Sequence, residues 1–224
     1  MTRTGASARP PMDLEERTDS IFYWIQSHTK QIGIAATILV LAAVGWWVYM
    51  RTQRSEEQRA EQMLNQARQS IAAGNSALAQ SDLDKVVKRY PDAAAGRQAV
   101  LLLSEVLYRG GKFEQGIAEL KKVATVRAGD DLASVAEGQI AVGYEELKKF
   151  AEAAEHYQKA AGTARFDMDR DLFLASAARA FTAAGNQEGA RKIWNGLATN
   201  ESGVVSGEAR VRLGELNAKP AASR

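Results

Sequence analysis

Residues 143 to 160 read GYEELKKFAEAAEHYQKA, from Gly143 to Ala160, and the recurrence of this pattern along the chain decides the fold. Ala141 and Tyr144 stand ahead of the Lys148-Lys149 break, and Ala153, Tyr157 and Ala160 follow it. The same arrangement returns every 37 residues: Ala79, Gly116, Ala153 and Ala190 are in step, and so are Gly74, Gly111, Lys148 and Gly185. Ahead of each break stand Ala67, Ser104, Ala141 and Ala178, followed three residues later by Ser70, Leu107, Tyr144 and Phe181. Behind it come Leu83, Leu120, Tyr157 and Trp194, then Val86, Val123, Ala160 and Leu197. Alanine-rich stretches with few prolines read as helices, and a constant interval between their breaks reads as an array of repeated units.

The residue types explain why such units stack. Two antiparallel helices joined by a tight turn approach closely only where side chains are small, which the Ala, Ser and Gly positions supply. Glycine at the break permits the left-handed conformation that ends the first helix. The larger residues fill the space between neighbouring pairs, so each pair buries its apolar face against the next. The expectation is an all-α solenoid of about four helix pairs over residues 51–218. Val211-Arg212-Leu213-Gly214-Glu215-Leu216 begins another first helix that then stops, as a C-terminal capping helix does.

These spacings resemble the tetratricopeptide repeat: a small residue, an aromatic three later, glycine at the turn, then Ala, aromatic and Ala in the second helix. The third unit matches best, through Ala141, Tyr144, Phe150, Ala153, Tyr157 and Ala160, and the first carries the terminal proline in Tyr90-Pro91-Asp92. The unit is 37 residues rather than the family's 34, and Lys148 stands where glycine is expected. The extra residues are expected to lengthen the turn between pairs. The resemblance implies protein binding on a concave face lined by successive first helices. Carried onto this register, the more polar or aromatic positions of that face are Arg68, Glu105, Tyr108, Arg109, Glu145, Glu146 and Arg179.

Ahead of the repeats, Ile32 to Met50 are nineteen residues without a charge. At ~1.5 Å per helical residue they cover roughly 28 Å, close to the ~30 Å hydrocarbon layer of a bilayer. The run is too long for a signal-peptide core and a 31-residue segment precedes it, so a transmembrane helix is expected over 31–50. Asp13-Leu14-Glu15-Glu16 has capping-box spacing, and Leu14, Ile21, Phe22 and Ile25 follow at helical spacing. An amphipathic interfacial helix is therefore expected over 13–30, with membrane lipid as its partner; the alternative is that these residues only extend the anchor, which also places aromatics at the interface. Phe22, Tyr23, Trp24, Trp46, Trp47 and Tyr49 are the expected membrane-interface residues. Residues 1–12 and 219–224 are expected to be disordered tails.

Composition narrows the function. Lys plus Arg number 29 against 27 Asp plus Glu, so no strongly basic face speaks for nucleic acid. There is no cysteine, which is compatible with either redox compartment. Asp167-Met168-Asp169-Arg170-Asp171 imitates the start of a calcium loop, but Leu172 and Ala178 occupy the positions that need Gly and Glu, so a solvated turn is expected. His28 and His156 are the only histidines and lie on either side of the apolar run, so His156 is expected to serve in surface packing. Gly110-Gly111 ends a helix rather than opening one, which removes a phosphate cradle. No enzyme activity, cofactor or metal is expected.

Taken from residue 13 to 217, the chain resembles the YfgM-like ancillary subunits of the SecYEG translocon. The resemblance is carried by the acidic and aromatic segment, Lys30, the apolar span and Gly45-Trp46-Trp47-Val48-Tyr49 entering a polar helix. It implies a bacterial inner-membrane protein with its N-terminus in the cytoplasm and its repeats in the periplasm. The implied partners are the SecYEG translocon, a PpiD-like periplasmic chaperone and unfolded or emerging client proteins. The flanking charges argue the other way, with Arg17 and Lys30 before the span against Arg51, Arg54, Arg59 and Arg68 after it. Long domains translocate largely regardless of such charges. The alternative is a scaffold for another envelope or secretion assembly, with the repeats in the cytoplasm.

Overall fold

The computed structural model describes residues 29–124, 131–200 and 203–218, and the chain divides into two compact units, Met1–Ser55 and Glu56–Arg224. All nine regular elements among the described residues are helices. Helix α1, Thr29–Ala72, carries residues of both units. The second unit adds α2 (Ser76–Arg89), α3 (Ala94–Arg109), α4 (Phe113–Ala124), α5 (Asp131–Glu146), α6 (Phe150–Thr163), α7 (Asp167–Ala183), α8 (Gln187–Thr199) and α9 (Ser206–Asn217).

In the first unit the apolar run is not a helix of its own. It is the front of α1, a helix of 44 residues that continues into the charged sequence after Arg51. Among the described residues no helix is long and apolar enough to cross a membrane. The span expected over 31–50 includes Ile32, Ala35 and Ala36, whose side chains lie outside those described. Residues 1–28 lie outside the described residues altogether, and with them the expected tail, most of the interfacial helix, and Phe22, Tyr23 and Trp24. Thr29 and Lys30 are the first residues of α1, and 219–224 are also outside the description. Trp46, Trp47 and Tyr49 are exposed. The Trp46 and Tyr49 rings lie 6.2 Å apart, and the Arg51 guanidinium sits 5.3 Å over Trp47.

The second unit is four helix pairs and a final helix. The pairs are the end of α1 with α2, α3 with α4, α5 with α6, and α7 with α8. The positions in step along the sequence form the core. Ala67, Ser104, Ala141 and Ala178 are all fully buried, as are Leu83, Leu120 and Trp194, with Tyr157 nearly so. Small residues on first helices let second helices approach, and the large ones fill the gaps. The capping helix is α9, which starts at Ser206, five residues before the expected Val211, and its Ala209 is buried in one core with the fourth pair. The connections between pairs are short at 90–93 and 164–166 and longer at 200–205.

All four breaks within pairs have one geometry. The N–H of Asn75, Lys112, Lys149 and Asn186 each donates to the carbonyl five residues back, at 2.8–3.0 Å. The N–H of Gly74, Gly111, Lys148 and Gly185 each donates to the carbonyl three back. This is the Schellman motif, and it requires a left-handed residue at the second position of the break. The φ angles there are 71° at Gly74, 71° at Gly111, 59° at Lys148 and 79° at Gly185. The register thus forces Lys148 into a conformation that costs a residue with a Cβ ~1–2 kcal/mol. Asn75 and Asn186 then cap α2 and α8, each accepting from the N–H three residues on. Helix α3 is capped from outside: the Glu57 carboxylate on α1 accepts from the N–H of Ala94 and of Ala95, both at 3.1 Å.

A candidate protein-binding face on the first helices

The exposed side of each first helix repeats with the register. In the first pair it carries Glu61, Asn65 and Arg68; in the second, Gln98, Leu102, Glu105 and Arg109. In the third it carries Val135, Gln139, Val142 and Glu146, and in the fourth Leu172, Ser176 and Arg179. These positions lie three or four apart along each helix and so share one face.

Five of the seven residues expected to bind a partner fall on this stripe. Arg68 is exposed and donates to Asn65 at 3.0 Å and to Gln98 on α3 at 2.8 Å, with Glu61 3.2 Å away. Glu105 and Arg109 form an exposed pair at 3.6 Å. Glu146 is exposed at the end of α5. Arg179 donates to both carboxylate oxygens of Glu208 on α9, at 2.8 and 3.0 Å, and to Ser176. The charges of the face are thus mostly matched within the chain.

The other two are turned inward by one residue's rotation. Tyr108 is half-buried, its hydroxyl donates to the Gln139 carbonyl on α5 at 3.1 Å, and its ring covers Gly116 on α4 and Gly143 on α5. A Cβ at either glycine would collide with that ring. Burial holds the Tyr108 phenol well above its ordinary titration range, with Tyr144 adding to the shift. Glu145 is half-buried and accepts from the Tyr157 hydroxyl at 3.0 Å. Burial, and then the Glu145 charge, raise the Tyr157 phenol likewise.

Sequence reasoning passed over the exposed apolar residues of the stripe. Val135, Val142 and Leu172 are 42%, 41% and 46% exposed, and they give the third and fourth repeats an exposed apolar surface where the first two present charge, amide and the half-buried Leu102. Their register was legible, but a preference for polar and aromatic candidates removed them.

Two other sequence features are placed differently from expectation. Asp167, Asp169 and Asp171 lie in the first turns of α7 rather than in a solvated turn. Arg170 reaches Asp167 at 2.7 Å and Asp171 at 3.3 Å, and Asp171 is buried and accepts from Asn200. Carboxylates are favoured at a helix start, where they meet the positive end of the dipole. His156 is not on the surface: its Nδ1 lies 2.5 Å from Glu137, with both side chains about one-seventh exposed or less. Among the described residues no three His, Cys, Asp or Glu side chains gather as metal ligands would.

Comparison with known proteins agrees with this architecture. The family model described as tetratricopeptide repeat-like domain matches residues 23–195. No curated protein matches the chain. Among solved structures, the chain is similar to a putative kinesin light chain with nearly identical TPR-like repeats from Podosopora anserina, with 16% identity and a TM-score of 0.56 over 71% of this chain and 86% of that one. It is also similar to a tetratricopeptide repeat protein from Parabacteroides merdae, with 15% identity and a TM-score of 0.56 over 71% of this chain and 60% of that one. A third is a signal transduction ATPase with numerous domains and a tetratricopeptide repeat sensor from Pyrococcus horikoshii, with 19% identity and a TM-score of 0.55 over 69% of this chain and 26% of that one. At these identities the likeness concerns the fold alone. With more than half its length matched, the chain belongs to the tetratricopeptide repeat-like domain family.

Proposed function

We propose that this chain is a membrane-anchored protein-binding module that holds a partner segment along the exposed stripe of its first helices. Repeats of this family are generally protein–protein interaction modules. The observation that carries the reading is the exposure of Val135, Val142 and Leu172 in line on neighbouring first helices, flanked by Glu146 and Arg179. Apolar surface left in water costs ~25 cal/mol per Å2, which a partner's apolar side chains recover. The charges around it select orientation more than they add affinity.

The anchor rests on the sequence and on exposure. Ile32 to Met50 carry no charge, and Ile34, Ile38, Leu39, Leu41, Val44, Trp46 and Trp47 are all exposed. A helix apolar all round is at home in hydrocarbon, and the Trp and Tyr residues suit its edge. With the resemblance of residues 13–217 to YfgM-like subunits, the reading extends to an inner-membrane protein beside the SecYEG translocon, its repeats in the periplasm. There it would meet a PpiD-like chaperone and emerging clients.

Photocrosslinkers placed at Val142 and Glu146 of the full chain in native membranes test this. Products containing translocon subunits or a periplasmic chaperone support it. Products from a different envelope machine favour the scaffold reading instead, and no protein product from either position sinks the face. Alkaline phosphatase fused after Arg224 is expected to be active, whereas activity only of a cytoplasmic reporter would reverse the topology.

A further inference from the structure

One repeat apart, the same four positions are used in opposite ways. Between the second and third pairs, Glu137 on α5 meets His156 on α6, whose ring stacks on Tyr144 at 5.2 Å and 19°. The Lys121 amine on α4 donates to the Tyr144 hydroxyl at 3.0 Å and lies 5.4 Å over its ring. A polar ladder thus fills the space over α5 between the second helices α4 and α6.

Adding 37 to Lys121, Glu137, Tyr144 and His156 gives Gln158, Leu174, Phe181 and Ile193. These cannot form the ladder, and all four line a groove of about 450 Å3 at the junction of the third and fourth pairs. Gly196 also lines it, and a Cβ there would meet nothing within 4 Å. Leu174, Phe181, Ile193 and Leu197 make the lining largely apolar, and Lys192 stands among its polar residues beside the Arg170–Asp171 pair. Asp171 is buried against Arg170 and Asn200, while Lys192 is exposed.

We propose that this groove docks an aromatic side chain of a partner protein that carries a carboxylate beside it. The ring lies on Phe181 and Ile193, the residues in step with Tyr144 and His156, and the carboxylate meets Lys192. The volume falls within the range of small-ligand pockets, and an aromatic anchor in a shaped recess is the usual centre of a protein interface. None of the lining residues belongs to the exposed first-helix stripe, so this is a second docking site that stands or falls apart from the first.

The test is a fluorine NMR titration of the full chain in lipid nanodiscs, against empty nanodiscs, with the amidated dipeptide acetyl-5-fluorotryptophanyl-glutamate and its glutamine counterpart. Saturable binding is expected, about fivefold tighter for the glutamate probe, the scale of one exposed ion pair. Gly196→Leu fills the groove and is expected to abolish binding of both probes with unchanged helicity, since leucine favours a helix over glycine. Lys192→Glu, at an exposed site, is expected to equalise or reverse the preference. Val142→Glu on the first-helix stripe is expected to change neither. No saturable binding, or wild-type binding by Gly196→Leu, overturns the proposal, and an unaltered preference in Lys192→Glu overturns the role of the carboxylate.

Discussion

The junction of the second and third pairs and that of the third and fourth are built on one backbone plan with exchanged volumes. At the former, Tyr108 fills the space above Gly116 and Gly143. At the latter, the positions in step are Glu145, Ala153 and Ala180. The ring is gone: Ala153 and Ala180 are buried there, and the Glu145 carboxylate accepts from Tyr157. On the second-helix side, the ladder of Glu137, His156, Tyr144 and Lys121 is matched by Leu174, Ile193, Phe181 and Gln158. The two junctions thus share one helix plan while filling it with different side chains, completely at the ladder and with an open groove one repeat later.

The largest expected effect tests that account directly. Tyr108→Ala is expected to cost ~2–3 kcal/mol in equilibrium unfolding, less than a fully buried aromatic because the ring is half-buried, while Glu145→Ala at the matching position costs ~1 kcal/mol for one hydrogen bond. Equal costs would show that the two junctions are not complementary in the way described. Next, Gly143→Ala forces a methyl into the Tyr108 ring and should destabilise by ~1–3 kcal/mol, despite alanine's better helix propensity. A stabilised Gly143→Ala would mean the ring moves aside freely.

The polar ladder gives a third contrast. Glu137→Leu alone leaves His156 without its partner and should cost ~1–3 kcal/mol, whereas Glu137→Leu with His156→Ile copies the fourth repeat and should return to within ~1 kcal/mol of the parent. Thermal unfolding of the pair and both singles reads the coupling. In alkali the Tyr108 and Tyr157 phenols set a fourth. Tyr108 and Tyr157 ionise above the ordinary value of 10.0 when folded, so the unfolded chain loses its protons first and stability falls as pH rises past about 10. Tyr157→Phe should flatten that decline, and an unchanged slope would remove Tyr157 from it. The smallest effect is expected from Lys148→Gly, a gain of ~0.5–1 kcal/mol, since relief of the left-handed strain is partly offset by the freer unfolded chain.

The sequence carried the periodic part of this molecule well. Alanine and glycine at fixed intervals reveal the breaks, and Lys148 could be placed in its turn by counting alone, with φ 59° as the outcome. Lateral contacts were harder to read. Tyr108 and Arg109 are neighbours in sequence, yet about 100° of helical rotation puts one in a junction and the other on the exposed stripe. His156 and Glu137 are 19 residues apart on different helices, so nothing local announces their pairing. Val135, Val142 and Leu172 look like core residues in any single repeat, and only their alignment across repeats places them outside.

The tyrosine over two glycines also bears on how the array can change in length. Tandem repeats grow and shrink by unequal recombination, which adds or removes whole periods while leaving the turns matched. Loss of residues 112–148 would join Tyr108 to a following pair that presents Ala153 and Ala180 in place of Gly116 and Gly143. The turns would fit and the junction would not, because the ring would meet two methyl groups. The second pair thus accepts only a neighbour with glycine at the position of Gly143, so sterics hold it in its present place in the order.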